Sequence, residues 1–313
     1  MKVLVAGCGS IGQRHVGNLI DSDRIHEIIL YTQNRDCVKE LDDKGKICFT
    51  PSLDGVTADF AVVANETCKH IDTAIQLAEK GLHLFIEKPL SHNFDGIDAL
   101  REAVEKKGIK TFVGYNLRFL KAMEYIKERL SGGILGNLYF VKIEVGQYLP
   151  FWRKNRDYRE SYSSSAERGG GVALDLSHEL DYMRYLFGDP LRWKVFRTRT
   201  GELDIDAEDM FEGLYLYEEK FICNVHMDYL QKDATRTLRI KGSKGELFCD
   251  FLMGELTVSA GNARTVIKDA FIFDINKTYR DEMDHFMDIV EKGTEPAVTL
   301  EDGIAVLKLI KDS

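Results

Sequence analysis

The sequence predicts an α/β protein, with an N-terminal doubly wound parallel sheet followed by an α+β domain built on a large, mostly antiparallel sheet. Three observations carry this. Strand and helix signals alternate up to about residue 115. A glycine-rich turn, Gly7-Cys8-Gly9-Ser10-Ile11-Gly12, stands between the first strand and the first helix. Beyond Tyr115 the strands cluster instead of alternating with helices.

Short apolar runs mark strands at 2–6, 27–31, 46–49, 59–64, 83–87 and 110–114. Between them, Ile11, Val16, Leu19 and Ile20 recur at helical spacing, and a second helix over 70–80 ends at Gly81, a natural left-handed stop. A helix over 117–130 stops at Ser131-Gly132-Gly133. Tyr139, Val141, Ile143 and Val145 then alternate with Phe140, Lys142 and Glu144, as in a strand with one buried face. A polar loop over 149–168 leads to Gly169-Gly170-Gly171 and a helix. Strands are expected at 191–200, 210–217, 221–229, 236–241 and 245–251, and helices at 278–291 and 300–311. The chain divides into domains 1–118 and 119–313.

A length of 313 residues suffices for two hydrophobic cores. No apolar run reaches the ~20 residues of a membrane span, and the strand at 2–6 is too short for a secretory signal. Neither membrane attachment nor export is expected, which implies a cytoplasmic protein. A net charge of −9 argues against nucleic acid as a partner. The six cysteines, at 8, 37, 48, 68, 223 and 249, form no C-x-x-C pair. They predict reduced thiols, with neither a metal site nor a disulfide framework.

The G-x-G-x-x-G turn in its strand–turn–helix setting is the dinucleotide fingerprint of a Rossmann domain. Gly7 permits the tight turn, Gly9 lets the backbone approach a pyrophosphate, and Gly12 allows helix to pack on strand. Ser10 and Ile11 bring the helix N-terminus, with its free N–H groups, to the phosphates. The ribose selector follows the second strand. Thr32 stands where an NAD site would carry an acidic residue, and Arg35 lies close behind. That pairing can accept a 2′-phosphate and favours NADP, with NAD or dual use as the alternative.

Glu87-Lys88-Pro89 closes the fifth strand, where ligands of doubly wound sheets bind. Lys88 could exchange a proton with an oxygen at a hydride-transfer carbon, although a bare E-K-P is more often a surface turn. After the glycine triplet, a continuous helix at about 100° per residue would bury Leu176, Leu180, Met183 and Phe187 on one stripe. Asp175, His178, Tyr182 and Tyr185 would then share the other face. His178 suits general acid–base work near neutrality and Asp175 can orient or charge-stabilise the reacting group; a surface ion pair is the bland alternative. In the loop before this helix, arginines alternate with aromatics. Trp152, Arg153, Arg156, Tyr158 and Arg159 could hold an anionic or sugar substrate, or form a solvated mixed-charge loop.

In order along the chain these pieces resemble the glucose–fructose oxidoreductase/inositol dehydrogenase family, Gfo/Idh/MocA. The resemblance rests on the glycine turn, Ala58 to Val63, Asn65 to His70, Gly81 to Pro89, Gly114-Tyr115-Asn116-Leu117-Arg118-Phe119, Gly169 to Asp181, and Arg239 to Gly245. It implies Lys88, Asp175 and His178 as catalytic residues, Asn65, His70, Glu87 and Lys88 beside the cofactor, and Asn116 and Arg118 beside the substrate. The family spaces its Asp and His by four, whereas here the spacing is three. The implied activity is NAD(P)-dependent hydride transfer to or from a secondary alcohol or carbonyl of a sugar, sugar acid or nucleotide sugar. The loop motif W-R-x-x-x-D-Y-R is similar to a branch associated with surface-polysaccharide and nonulosonic-acid sugars. A homodimer or homotetramer is implied as well. Two other functions remain open on the same fold: a non-enzymatic cofactor-sensing regulator, and an enzyme using tightly held cofactor for internal redox.

Overall fold

The computed structural model describes residues 1–313 apart from 39–43, 154–156, 219–220 and 312–313. Two compact units result, one of Met1–Tyr115 with Tyr279–Ile304 and one of Asn116–Thr278 with Ala305–Ser313. The first alternates β1 (Lys2–Ala6), α1 (Ser10–Asp21), β2 (Glu27–Tyr31), β3 (Ile47–Thr50), β4 (Phe60–Val63), α2 (His70–Glu79), β5 (His83–Ile86), α3 (Ile97–Lys107) and β6 (Thr111–Val113). The six strands are all parallel, in the order β3-β2-β1-β4-β5-β6. With helices on both faces, the central strands can be apolar throughout, and Val3 to Ala6, Phe60 to Val63 and Leu84 to Ile86 are fully buried.

The second unit contains α4 (Lys121–Ser131), β7 (Leu138–Gly146), α5 (Val172–Asp175), α6 (His178–Phe187), β8 (Arg192–Thr198), β9 (Met210–Leu216), β10 (Ile222–Asp228), β11 (Thr235–Gly242), β12 (Gly245–Asp250), β13 (Glu255–Ala260) and β14 (Ala263–Ile267). Its sheet runs β14-β13-β12-β11-β7-β10-β9-β8, antiparallel except for β7 against β10. The period-two pattern holds through the middle of these strands: Val141, Ile143, Val145, Cys223, Val225 and Met227 are buried, whereas Tyr139, expected on the same face, is exposed and Asp228 at the end of β10 is buried. The chain ends with α7 (Ile275–Lys292) and α8 (Leu300–Leu309).

The parallel sheet and the mostly antiparallel sheet are the two sheets expected. Three details differ. Phe286 of α7 packs on Phe60 and Phe85, at ring centroid distances of 5.4 and 5.7 Å. Residues 279–304 therefore belong with the N-terminal unit, not with one domain over 119–313. Strands β13 and β14 extend the second sheet beyond the last strand expected, at 245–251. The helix carrying Asp175 and His178 is not continuous, because it stops at Asp175 and restarts at His178. Its polar side is not a solvent face either. Tyr182 is buried, and Glu179 and Asp181, both fully buried, are matched by Arg236 and Arg118.

Candidate active site

Because the strands of the first unit run parallel, β1, β4 and β5 end on one edge of the sheet. That edge carries the glycine turn after β1, Ala64-Asn65 after β4 and Glu87-Lys88 after β5. Gly7 has a φ of 111°, and a Cβ there would overlap the Ala64 carbonyl, so only glycine makes this turn. Gly12 packs α1 against the turn, since its Cβ would meet the Gly7 carbonyl. Gly9, by contrast, is exposed, and a Cβ on it would meet nothing within 4 Å. No side chain caps α1, whose first residues, Ser10 and Ile11, are exposed and half-buried. An open backbone surface beside an uncapped helix N-terminus fits the pyrophosphate of a dinucleotide.

At the end of β2, Thr32 Oγ1 accepts the Asn34 N–H at 3.2 Å. Arg35 is exposed, its guanidinium 5.6 Å from the centre of the Phe49 ring. The expectation of reduced thiols throughout is corrected here. Cys8, inside the glycine turn, is disulfide-bonded to Cys37, whose Cα lies 6.3 Å away. Pairs 29 residues apart escape a reading based on short cysteine spacings. The bridge ties the glycine turn to the segment that holds Arg35. Cys223 and Cys249 remain buried thiols, and burial pushes both pKa values up.

Asn65 Nδ2 donates to Thr73 Oγ1 at 2.8 Å, while its buried Oδ1 has no partner among the described residues. His70 is buried, with one ring nitrogen 2.9 Å from the Pro89 carbonyl and the other 3.1 Å from the Asn65 carbonyl. Desolvation lowers its pKa, and the neutral ring, with a single N–H, can donate to only one of these two carbonyls. Lys88 is half-buried, its N–H donating to Glu87 Oε2 at 3.0 Å across the bend that leaves β5.

In the second unit, Asp175 is almost fully buried, and Tyr229 donates its hydroxyl to Oδ2 at 2.6 Å. Tyr162 donates to the same carboxylate. The Asp175 charge, and then burial, push the Tyr162 pKa up; at Tyr229 burial comes first and Asp175 second. Both tyrosines therefore stay neutral donors. Glu208 lies nearby, its pKa raised by burial. Gly171, with a φ of 122°, allows the chain to pass where a Cβ would stand 2.6 Å from the Glu208 carboxylate. His178 opens α6, half-buried. Sequence reasoning missed Tyr229 and Glu208, which lie on distant segments without a local motif. Tyr162 stood in the aromatic loop without a sign that it turns toward Asp175.

Of the expected substrate residues, Trp152, Arg153 and Tyr158 line a small pocket with Leu149, Asp157 and Ser161. Trp152 stands edge-on to Tyr229 at 5.2 Å, which joins this pocket to the Asp175 cluster. Arg159 instead pairs with Asp157, holding that carboxyl down to about 2, and also meets Asp204. Arg118 grips Asp181 through Nε and Nη2, and buried Asn116 donates to Thr278 Oγ1 at 2.6 Å. Arg156 lies outside the described residues.

Residues 1–115 match the family model described as "Oxidoreductase family, NAD-binding Rossmann fold", and residues 123–248 match the "GFO/IDH/MocA C-terminal domain". The chain belongs to the Gfo/Idh/MocA oxidoreductase family. Similar relatives include myo-inositol 2-dehydrogenase of Thermotoga maritima, 27% identical over 99% of this chain and 94% of that protein. Another is scyllo-inositol 2-dehydrogenase (NAD(+)) of Bacillus subtilis, 24% identical over 97% and 92%. Levoglucosan dehydrogenase, in complex with NADH and levoglucosan, shares the fold at a TM-score of 0.85 and 17% identity over 99% and 95% of the two chains. The WlbA dehydrogenase of Bordetella pertussis, in complex with NADH and UDP-GlcNAcA, shares it at 0.84 and 20% over 99% and 93%.

As a Gfo/Idh/MocA protein, the chain is a nicotinamide-dependent oxidoreductase acting on CH–OH groups. Among the described residues, no helix is long and apolar enough to cross a membrane.

Proposed function

We propose that this protein interconverts a secondary alcohol and a ketone on a sugar-like ring, with NADP or NAD as the hydride carrier. The observation that carries the reading is the single sheet edge bearing the glycine turn, Asn65 and Lys88. A nicotinamide bound along that edge supplies the hydride acceptor or donor. Lys88 is the acid–base group proposed on the first unit and His178 the one proposed on the second, each able to exchange a proton with a hydroxyl. Asp175, which accepts from the Tyr229 hydroxyl and lies against Tyr162, places a carboxyl group beside the substrate pocket.

The side chains there, rather than the size of the pocket, favour a polyhydroxylated ring with an acidic substituent. Trp152 and Tyr158 offer ring faces, and Arg153 offers a guanidinium to carboxylate or phosphate. The Trp152 indole nitrogen is buried without a partner among the described residues, so it can donate to a substrate oxygen. Arg118, Asn116 and Arg159 shape the surroundings through their protein partners. The relatives named for inositol and the structures holding levoglucosan or a UDP-sugar acid support a ring of this kind. A place in surface-polysaccharide metabolism follows only if nucleotide sugars prove to be substrates. Thr32 and Arg35 favour NADP over NAD, and a cytoplasmic location fits that dinucleotide pool. The outer face of the second sheet exposes Phe140, Leu214 and Ile222, which supports self-association as a homodimer or homotetramer.

The test is absorbance change of NADH and NADPH on a panel of cyclic polyols, aldoses, sugar acids and nucleotide sugars. Turnover of at least one is expected. Tight cofactor binding with no turnover on any class would favour the cofactor-sensing or internal-redox alternatives instead.

A further inference from the structure

Three buried polar side chains in the first unit lie together, among them Glu87, which was expected beside the cofactor and whose carboxylate instead faces His15. His15 on α1, Glu87 after β5 and Glu282 on α7 are 0%, 4% and 0% exposed. One donor atom from each lies within 4.8 Å of the others. His15 Nε2 stands 2.5 Å from Glu87 Oε1, while Glu87 Oε2 accepts the Lys88 N–H at 3.0 Å. Neither Glu282 oxygen has a hydrogen-bond partner among the described residues. A Cβ on Gly114 would stand 3.2 Å from Glu87 Oε1, so glycine there leaves room for the carboxylate. The other ring neighbours of His15 are Phe85 and Tyr279, with Arg14 stacked on the Tyr279 ring.

We propose that Glu87 is a positioning residue for Lys88, held as an anion by a proton shared with His15, and that Glu282 beside it is a neutral carboxylic acid. Two carboxylates this close and this deeply buried cannot both carry charge. Glu87 has two donors for its charged form, the His15 ring and the Lys88 amide. Glu282 has none, so it keeps the proton. Burial first, and the Glu87 charge second, push its pKa well above the usual carboxylate range. The remaining titratable groups facing the cluster are Lys88, Tyr279 and His70, and His70 is neutral. A metal ion does not explain the cluster as well. Nitrogen and oxygen ligands of one ion sit roughly 3 Å or more apart, whereas the His15–Glu87 contact, at 2.5 Å, is a hydrogen bond. The anion fixes the backbone from which the Lys88 side chain departs, and puts a negative charge one residue away along the chain.

This inference rests on the reading of Lys88 as an acid–base group, but its test on the full-length protein needs no substrate. Infrared spectra at mildly alkaline pH are expected to show the carbonyl stretch of a neutral carboxylic acid, and Glu282→Gln to remove it. For Lys88, reductive 13C-methylation gives an NMR signal, assigned with Lys88→Arg, whose pH titration can be followed. Glu87→Gln is expected to lower its midpoint by about half a unit or more, because the anion one residue away is lost. Glu87→Asp should restore part of the shift. Where Glu87→Gln does not fold, as judged by NADH titration, His15→Gln replaces it and should move the same midpoint. Absence of the acid band, its survival in Glu282→Gln, stoichiometric metal by elemental analysis, or an unmoved Lys88 midpoint in the folded variant each overturns the proposal. Should Lys88→Met turn over normally while these results hold, the acid–base reading fails and the buried network stands.

Discussion

At the scale of single residues, the account turns on which buried charges have partners. Asp175 is a buried carboxylate served by the Tyr229 and Tyr162 hydroxyls. Tyr229→Phe removes a donor and leaves the buried Oδ2 without that hydrogen bond. A loss of about 1 to 3 kcal/mol in stability is expected from chemical denaturation, together with a fall in kcat. Glu282 gives a pH prediction of opposite character. Its folded pKa is raised, so the native state holds a proton that the unfolded chain releases above about pH 4.3. That contribution to stability is present at low pH and declines as pH rises from there through the folded pKa. Thermal melts should therefore show Glu282→Gln losing less stability than the wild type between neutral and alkaline pH. Identical pH profiles would count against a neutral Glu282. For cofactor choice, Arg35→Ala should weaken NADPH more than NADH in fluorescence titrations, and equal losses would end the case for NADP.

At the scale of elements, the parts legible in the sequence were those with one strong local signal. The turn from Gly7 to Gly12 needed only its glycines and the flanking strand and helix. Strand β7 announced itself by alternation over Val141 to Val145. The interruption between α5 and α6 did not, because Leu176 and Ser177 are ordinary helix residues; buried Glu179 and Asp181, reaching for Arg236 and Arg118, set the frame of α6 instead. In β14 every residue from Ala263 to Val266 is exposed, so no hydrophobic period marks it. The Cys8–Cys37 bridge was hidden by its long spacing, and it has a consequence that can be measured. It closes a 29-residue span between the glycine turn and the Arg35 segment. Cys37→Ser, or reduction by dithiothreitol, is expected to destabilise the unit by at most about 3 to 4 kcal/mol. NADH affinity should fall with it, as the two segments must then be ordered on binding. Equal melting temperatures and equal NADH affinity with and without reductant would contradict this.

At the scale of the whole molecule, the two units assemble from non-contiguous chain. Residues 279–304 return to the first unit, which no local pattern in α7 could reveal, since its apolar period says only that one face is buried. The candidate residues of each unit were legible to different degrees. The cofactor edge was readable from the glycine turn and E-K-P, and three of the loop residues do share a pocket. The tyrosines that hold Asp175 were not readable, because Tyr229 reaches it from 54 residues away. The central claim is that Lys88 acts on the proton while hydride moves to or from the nicotinamide. The measurement that tests it most directly is kcat of Lys88→Met on an identified substrate, under conditions where chemistry limits the rate, beside its NADH affinity. The account predicts a fall of about 10² to 10⁴ in kcat with NADH binding essentially unchanged, since the glycine turn is untouched. A folded Lys88→Met protein with near-normal kcat would contradict it.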